Sequence, residues 1–264
     1  MDFSTKVIWI TGASSGIGKA LALAFAKKGA NIVLSSRKRP KLEIVQKSCE
    51  SLGAQCLVVP LDLADSSDFP ARAEEVIQKF GRIDILINNG GMSQRSLIKE
   101  TPLELDRKLM EINYFGNIAL TKAVLPYMLA QKFGHIVTVT SIVGKFGFPL
   151  RSAYSASKHA LHGFYETMRA ELKSDNIRVT IAIPGRVRTQ ISVHALLKDG
   201  TTNNKMDEGQ ETGISAEKCA AGIVKAIQNN KKEILIGGKE LWLAHIRRFV
   251  PSLYYRIVDK VKPT

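Results

Sequence analysis

The sequence contains little cysteine, no long apolar run and no clustered histidine. Its three cysteines (Cys49, Cys56 and Cys219) form neither a disulfide framework nor a metal-ligand spacing, which is typical of a reducing compartment. The five histidines are scattered, so we expect no metal site. No run of 18 apolar residues occurs, and the N-terminus lacks the basic and apolar regions of a signal peptide. These absences favour a cytoplasmic protein without a membrane-spanning helix.

Acidic residues are also few, because 24 of them face 38 basic residues for a net charge of +14. Such an excess predicts a phosphorylated cofactor, an anionic membrane surface or an acidic carrier protein as a partner. Nucleic acid is not expected, since no nucleic-acid-binding motif accompanies the charge. The apolar content of 45% is that of an ordinary globular protein, and no repeat or linker divides the chain. We therefore predict one domain over residues 1–264.

Short apolar runs alternate along the chain with helical patterns. This alternation predicts an α/β fold of the Rossmann type, in which helices cover both faces of a doubly wound parallel sheet of about seven strands. The predicted strands are 7–10, 32–34, 56–61, 83–87, 134–140, 178–183 and 233–237, and the longest predicted helix is 103–131. We divide the domain into a dinucleotide-binding and catalytic core (1–190), a polar substrate loop (190–214) and an amphipathic C-terminal tail (239–264). The basic tail could lie on a membrane interface, cover the active-site edge or contact a partner subunit, and we favour packing against protein.

A glycine-rich turn joins the first strand to the first helix. In this context glycines permit a tight turn and close approach of the backbone to a pyrophosphate at the helix N-terminus. The candidate contacts are Gly12, Ser14, Ser15, Gly16, Ile17 and Gly18.

The second strand ends in Ser36, Arg37 and Lys38, where a carboxylate would hold the ribose of NAD. With no carboxylate to repel a 2′-phosphate and several cations following, this segment predicts NADP as the cofactor, and NAD as the less favoured one. One good charged hydrogen bond would favour NADP by roughly 10–100-fold.

A tyrosine and a lysine, Tyr154 and Lys158, lie one turn apart on the same face of a predicted helix. An ammonium near a phenol favours the phenolate, and such a pair can exchange a proton with an alcohol or a ketone. Ser141 follows the fifth strand, at the sheet edge where open parallel sheets bind ligands. Asn113 is an interior helix residue of mediocre propensity, which indicates that it is either exposed or functional.

With these segments together, the sequence resembles the short-chain dehydrogenase/reductase family over its whole length. The motifs Thr-Gly-x-x-x-Gly-x-Gly, Asn-Asn-x-Gly, Ser, Tyr-x-x-x-Lys and Pro-Gly-x-Val-x-Thr occur in order at Thr11, Asn88, Ser141, Tyr154 and Pro184. The run Ser93-Gln94-Arg95-Ser96 and the extended tail are similar to the group of dehydrogenase/reductase member seven, near the 11-beta-hydroxysteroid dehydrogenases.

The resemblance implies roles for individual residues. Tyr154 would be the acid in reduction, Lys158 would bind the nicotinamide ribose and lower the tyrosine's pKa, and Ser141 would donate to the substrate oxygen. Asn113 would hold a water joining the lysine to solvent. The remaining implied cofactor contacts are Asp62 and Leu63 for the adenine, Asn89 and Gly90 for the adjoining ribose, and Pro184, Gly185, Val187 and Thr189 for the nicotinamide.

Three positions depart from the family pattern. Gly90 replaces a commoner alanine and should loosen the segment that follows the fourth strand. Ile183 replaces a frequent asparagine, and Ser15 replaces the basic residue of some NADP users. The NADP prediction therefore depends on Arg37 and its neighbours.

The favoured hypothesis is an NADP(H)-dependent carbonyl reductase or alcohol dehydrogenase acting on an apolar substrate, such as a steroid, a retinoid or a lipid. The candidate pocket residues are Ile142, Val143, Phe146, Phe148, Ile191 and Leu196, although the same residues could be ordinary core. A 3-oxoacyl carrier-protein reductase is an alternative that the extra tail disfavours. A non-catalytic dinucleotide-binding protein is a second alternative that the intact Ser141–Tyr154–Lys158 set disfavours. The resemblance also implies a homodimer or homotetramer through the helices that carry Asn113 and Tyr154.

Overall fold

Seven parallel strands form the central sheet of the computed structural model, which describes residues 1–261. They are β1 (Val7–Thr11), β2 (Asn31–Ser35), β3 (Cys56–Val58), β4 (Ile85–Asn88), β5 (Gly134–Val139), β6 (Ile177–Pro184) and β9 (Glu233–Ile236). Their order across the sheet is β3-β2-β1-β4-β5-β6-β9. A separate two-stranded pair joins β7 (Val187–Arg188) to β8 (Ile214–Ser215). The predicted doubly wound sheet is confirmed.

Ten helices accompany the strands in the described part of the chain. They are α1 (Gly16–Ala26), α2 (Arg39–Glu50), α3 (Phe69–Phe80), α4 (Leu103–Met110), α5 (Gly116–Ala130), α6 (Ser152–Glu171), α7 (Glu208–Glu211), α8 (Ala216–Gln228), α9 (Trp242–Phe249) and α10 (Pro251–Val258). Helices α1, α2 and α8 pack on one face of the sheet, and α3, α5 and α6 pack on the other.

Burial of the sheet on both faces explains why the strands are continuous apolar runs. In β1, Ile8 and Ile10 pack into the core beneath α1, whereas Val7 and Trp9 pack into the core on the opposite face. Alternate strand residues point to opposite faces, so each must be apolar when both faces are covered.

Two strands are shorter than predicted. Strand β3 ends at Val58 instead of residue 61, although the N–H groups of Val59 and Leu61 still donate to the carbonyls of Leu34 and Ser36 at 3.0 and 3.3 Å. Strand β4 begins at Ile85 instead of residue 83, since the Ile83 N–H donates to the side chain of Gln131 at 3.0 Å.

The predicted helix over residues 103–131 is present but is not regular. Between α4 and α5 the chain makes a π turn over Glu111–Phe115, which contains the buried Asn113. The side chain of Asn117 donates to the carbonyls of Ile112 and Asn113 at 3.2 and 2.9 Å, beside this wider turn. Such turns are frequent at functional sites, and this one contacts the segment after β4, where the Met92 N–H donates to the Asn113 side chain.

The C-terminal tail packs in part against the rest of the domain, which is the arrangement that the sequence analysis favours. Tyr254 is 3% exposed, its ring centroid lies 5.5 Å from that of Phe146, and its hydroxyl donates to the Gly147 carbonyl. The same tail leaves Trp242 and Phe249 exposed. Residues 262–264 of the predicted tail lie outside the described residues. Within residues 1–261, no helix combines the length and apolar character needed to cross a bilayer.

The substrate loop is less irregular than its composition predicts. It contains α7, and its end pairs with β7 through the hydrogen bond from the Ile214 N–H to the Arg186 carbonyl. Leu196 forms isolated bridges with Gln94 and with Thr202, which connects the loop to the core.

Candidate active site

The predicted site residues lie at the carboxyl ends of neighbouring strands. The glycine turn follows β1, Asn89 and Gly90 follow β4, Ser141 follows β5, and Gly185 follows β6. Parallel strands bring these ends to one edge of the sheet, which is where open α/β folds bind their ligands.

The glycine turn is closely packed around its backbone. Gly12 and Gly16 have φ values of +64° and +53°, a region that favours glycine. A Cβ on Gly18 would lie 2.3 Å from the Gly12 carbonyl oxygen, so glycine is required there as well. Thr189 lies against Gly16, because a Cβ on that glycine would be 3.1 Å from the threonine methyl. Two predicted cofactor contacts distant in sequence are thus brought together.

The segment after β4 is bound to the same turn. The Thr11 hydroxyl accepts from the Asn89 and Gly90 backbone N–H groups at 3.0 and 2.8 Å, and the Asn89 side chain donates to the Thr11 carbonyl at 2.9 Å. A Cβ at Gly90 would lie 2.7 Å from the Leu63 side chain, and the expected looseness of this segment stays a prediction. Glycine lets Leu63 approach and fill that space.

The end of β2 has the features of a nucleotide site. Arg37 and Lys38 are exposed, and the buried Ser36 hydroxyl has no hydrogen-bond partner among the described residues. The Leu61 N–H donates to the Ser36 carbonyl at 3.3 Å, which brings Asp62 to this end of the sheet. The orphaned Ser36 hydroxyl, the exposed Arg37 and Lys38, and the glycine turn lie at one edge of the sheet and together fit a dinucleotide.

Tyr154 lies in the first turn of α6 with its phenol buried and facing a cavity. Burial raises the pKa of Tyr154 above its ordinary value, because the phenolate is poorly solvated there. The Ser141 hydroxyl and the positive charges of Arg95 and Arg151 act in the opposite direction. The Ser141 hydroxyl also accepts from the Val143 N–H at 3.4 Å, which orients it at the start of a short 3₁₀ turn.

Lys158 is buried one turn further along α6. Its ammonium donates to the Val139 carbonyl at 3.0 Å and lies 5.8 Å from the centroid of the Tyr154 ring. Burial lowers the pKa of Lys158 to about 8. Arg95 and Arg151 also act to lower the pKa of the phenol, and the expected contribution of Lys158 stays a prediction.

Asn113 connects two parts of the site. Its side chain accepts from the Met92 N–H at 2.7 Å and donates to the Met92 carbonyl at 2.9 Å and to the Ser157 hydroxyl at 3.1 Å. These contacts join the π turn to α6 and to the segment after β4. The implied water relay through Asn113 stays a prediction.

A cavity of about 310 Å³ opens beside Ser141 and Tyr154. Five of the six predicted pocket residues line it, namely Ile142, Val143, Phe146, Phe148 and Ile191. Leu196 does not line the cavity and instead packs with Leu105, Leu109 and Ala153. The tail contributes Leu243 and Val261, so it forms part of the cavity wall.

Four polar residues around the cavity were not assigned from the sequence. The fully buried Gln94 accepts from the N–H groups of Ala153 and Tyr154 at 3.0 and 3.4 Å, so it caps the helix that carries Tyr154. Arg95 and Arg151 both donate to the carboxylate of Asp207 in the substrate loop. The run 93–96 was noted as a group resemblance only, because a sequence does not show which distant acid an arginine contacts.

One further group of polar side chains has metal-ligand atoms close together. The ligand atoms of His162, Glu166 and Glu233 lie within 4.8 Å of one another, but Glu233 is paired with Lys145 at 2.8 Å. The expected lack of a metal stays a prediction.

Comparison with known proteins identifies the family. The short chain dehydrogenase family matches residues 6–200, and the chain belongs to that family. It is 42% identical to the dehydrogenase/reductase SDR family protein 7-like of Anopheles gambiae. The alignment covers 97% of this chain and 82% of that protein. It is 43% identical to mouse member 7B (96% and 80% covered) and 40% identical to human member 7 (98% and 78% covered).

Solved structures show the same fold. A short-chain dehydrogenase/reductase from Burkholderia phymatum in complex with NAD superposes with a TM-score of 0.85 at 24% identity, covering 100% of this chain and 98% of that one. A metagenomic short-chain oxidoreductase in complex with NADP gives 0.75 at 28% identity, covering 89% and 98%. The predicted family and group are confirmed, and the protein is an oxidoreductase of this family.

Proposed function

We propose that the protein is an NADP(H)-dependent oxidoreductase that interconverts a ketone or aldehyde and an alcohol on an apolar substrate. The observation that carries this proposal is the convergence of Ser141 and Tyr154 on one cavity that has both apolar and charged walls, with Lys158 buried one turn away. The nicotinamide, when bound, supplies or accepts the hydride. The chain's own residues must then bind the substrate oxygen and move one proton.

In this mechanism Tyr154 holds the proton. Its phenol is neutral at physiological pH, since burial keeps its pKa above the ordinary value. A neutral phenol donates a hydrogen bond to a carbonyl oxygen and transfers its proton as negative charge builds on that oxygen. Ser141 donates a second hydrogen bond to the same oxygen, and Lys158 binds the ribose next to the nicotinamide.

NADPH oxidation in the presence of ketones, followed at the nicotinamide absorbance, tests the proposal. A panel of ring, chain and aromatic ketones should contain members that accelerate the loss of NADPH absorbance. If no ketone does so and no alcohol reduces NADP, the proposed activity is wrong and a non-catalytic dinucleotide protein becomes the better hypothesis. A carrier-linked 3-oxoacyl group turned over faster than a free ketone would favour the carrier-protein reductase.

The cofactor preference follows from the end of β2. Arg37→Asp removes the exposed cation beside the orphaned Ser36 hydroxyl and adds a charge that repels the 2′-phosphate. We expect the ratio of kcat/KM for NADPH over NADH to fall by roughly 10–100-fold, as for the loss of one charged hydrogen bond. The exposed Lys41, on α2, provides the matched control, and Lys41→Asp should change the ratio far less. An unchanged ratio in Arg37→Asp would show that the phosphate is bound elsewhere.

We also propose that the tail contacts an anionic membrane surface. The exposed apolar side chains of α9, of α10 and of the residue between them (Trp242, Phe249, Val250, Leu253 and Tyr255) lie among Arg247, Arg248 and Arg256. Apolar side chains with interleaved cations are typical of interfacial helices. The protein should sediment with phosphatidylserine vesicles and less with phosphatidylcholine vesicles, and Trp242→Ser with Phe249→Ser should abolish the difference. If the wild type and the double variant sediment equally with phosphatidylserine vesicles, the proposed contact is wrong.

A further inference from the structure

Two arginines share one carboxylate at the wall of the substrate cavity. Arg95 donates to Asp207 through Nε at 3.0 Å and through Nη2, and its Nη1 donates to the Ser93 hydroxyl and the Gln94 carbonyl. Arg151 donates from Nη2 to the same carboxylate at 2.8 Å. The side chains of Arg95 and Arg151 are only 8% and 19% exposed. One carboxylate cannot neutralise two guanidinium groups, so a positive charge remains at the cavity wall.

The unused donors belong to Arg151. Among residues 1–261, its guanidinium donates only to Asp207 and, from Nη1 at 3.0 Å, to the Pro149 carbonyl. A guanidinium carries five N–H donors, so several of them remain unpaired in Arg151. The central carbon of the Arg151 guanidinium lies 5.2 Å from the centroid of the Phe148 ring, which also lines the cavity. The guanidinium of Arg151 is thus held in place before any ligand enters.

The other charged residues that line the cavity are Arg186, Glu208 and Glu240, so the lining is balanced overall and the positive excess is confined to the cluster of Arg95, Arg151 and Asp207. Glu240 accepts from the backbone N–H groups of Arg186 and Gly238 at 2.7 and 2.9 Å, and Glu208 is exposed on α7. The cations that act on Tyr154 are Arg95 and Arg151, so the excess charge lies on the phenol's side of the cavity. A buried charge of this kind is costly unless a ligand or partner compensates it.

We infer that the substrate carries an anionic oxygen group, a carboxylate or a phosphate. The guanidinium of Arg151 binds this group while the ketone lies against Tyr154 and Ser141. Planar carboxylates and phosphates match a guanidinium through paired N–H donors. The apolar residues between the two ends, including Phe146 and Phe148, would contact the intervening hydrocarbon. This inference rests on the proposed carbonyl reduction and defines its substrate class as amphiphilic oxo acids or oxo-alkyl phosphates.

Matched substrates test the inference. Oxo-alkanoates with different numbers of methylenes between ketone and carboxylate are compared with their neutral methyl amides and with the corresponding oxo-alkyl phosphates. For the best chain length, kcat/KM with NADPH should be at least tenfold higher for an anionic ketone than for its amide. The carboxylate and phosphate arms show which group is preferred. Arg151→Met should lower the anion-to-amide ratio at least tenfold.

Each ratio is measured within one variant, so a loss of folded protein cancels. The exposed Arg107, on α4, is the control, and Arg107→Met should leave the ratio unchanged. Asp207→Asn removes the shared counter-charge and should preserve or raise the ratio. A wild-type ratio near one at every chain length, or a ratio insensitive to Arg151→Met, overturns the inference while turnover of the amides still supports the proposed function.

A binding measurement decides the inference even if no ketone is reduced. Octanoate and octanamide, which contain no ketone, are titrated into the protein with NADP present. Octanoate should bind at least tenfold more tightly than octanamide to the wild type, and the two should bind alike to Arg151→Met. Equal binding of both compounds to the wild type contradicts an anion site at Arg151.

Discussion

Tyr154→Phe is expected to lower kcat for ketone reduction by about 10²–10⁴-fold, the contribution of a positioned general acid. The phenylalanine ring keeps the packing of Tyr154 in the core beneath α6, so the variant should fold like the wild type. Only the hydroxyl is lost, and with it the phenolic proton that lies next to Ser141 at the cavity. Rates at saturating NADPH and ketone, with the dissociation constant of NADPH from fluorescence titration, give the result.

The dissociation constant separates a catalytic from a structural role. It should change by no more than a few fold, since the glycine turn and the end of β2 do not contact the phenol. Tyr255→Phe is the matched control, because that side chain is 52% exposed on α10 and lies outside the cavity wall. Ketone reduction by Tyr154→Phe at the rate of the Tyr255→Phe control would show that another group supplies the proton.

The fold could be predicted because its strands are buried on both faces. An apolar run such as Val7–Thr11 followed by glycines leaves few alternatives to a parallel strand with a ligand-binding turn. The irregular features could not be predicted in the same way. The π turn around Asn113 depends on Asn117 and on a glycine at position 116, where a Cβ would lie 2.1 Å from the Leu63 carbonyl oxygen. These are tertiary contacts that helical periodicity does not encode.

The electrostatics of the site were the other part that sequence could not supply. Tyr154 and Lys158 are one helical turn apart, so their association was predicted from spacing alone. Arg95, by contrast, lies 112 residues from Asp207, and charged residues in a polar loop are usually solvated. Folding buries this pair and adds Arg151, and the positive charges of both arginines act on the phenol of Tyr154. Local motifs are therefore predictable from sequence, whereas the charges that tune them depend on the tertiary fold.

Lys158 should make the stability of the ligand-free protein depend on alkaline pH. Its ordinary pKa is 10.5, and burial lowers that of the folded state to about 8. Between these values the unfolded chain binds a proton that the folded chain has released, so the free energy of unfolding rises with pH. The slope is about 1.4 kcal/mol per pH unit where the two states differ fully, for a total of roughly 3 kcal/mol.

Urea unfolding of wild type and Lys158→Met between pH 7 and pH 10 measures this effect. Methionine has no proton to release, so the variant should be the more stable protein at pH 7, and the difference should shrink as the pH rises above 8. The difference in free energy of unfolding between wild type and variant is compared at each pH. Burial raises the pKa of Cys219 to about 12 and also raises the pKa of Tyr154, so these two groups lower stability at high pH, but they do so in both proteins. Lys122→Met, at an exposed position on α5, should give a curve parallel to that of the wild type. A constant difference between wild type and Lys158→Met would show that the buried ammonium keeps its proton throughout this range, and so that its contact with the Val139 carbonyl outweighs the loss of solvation.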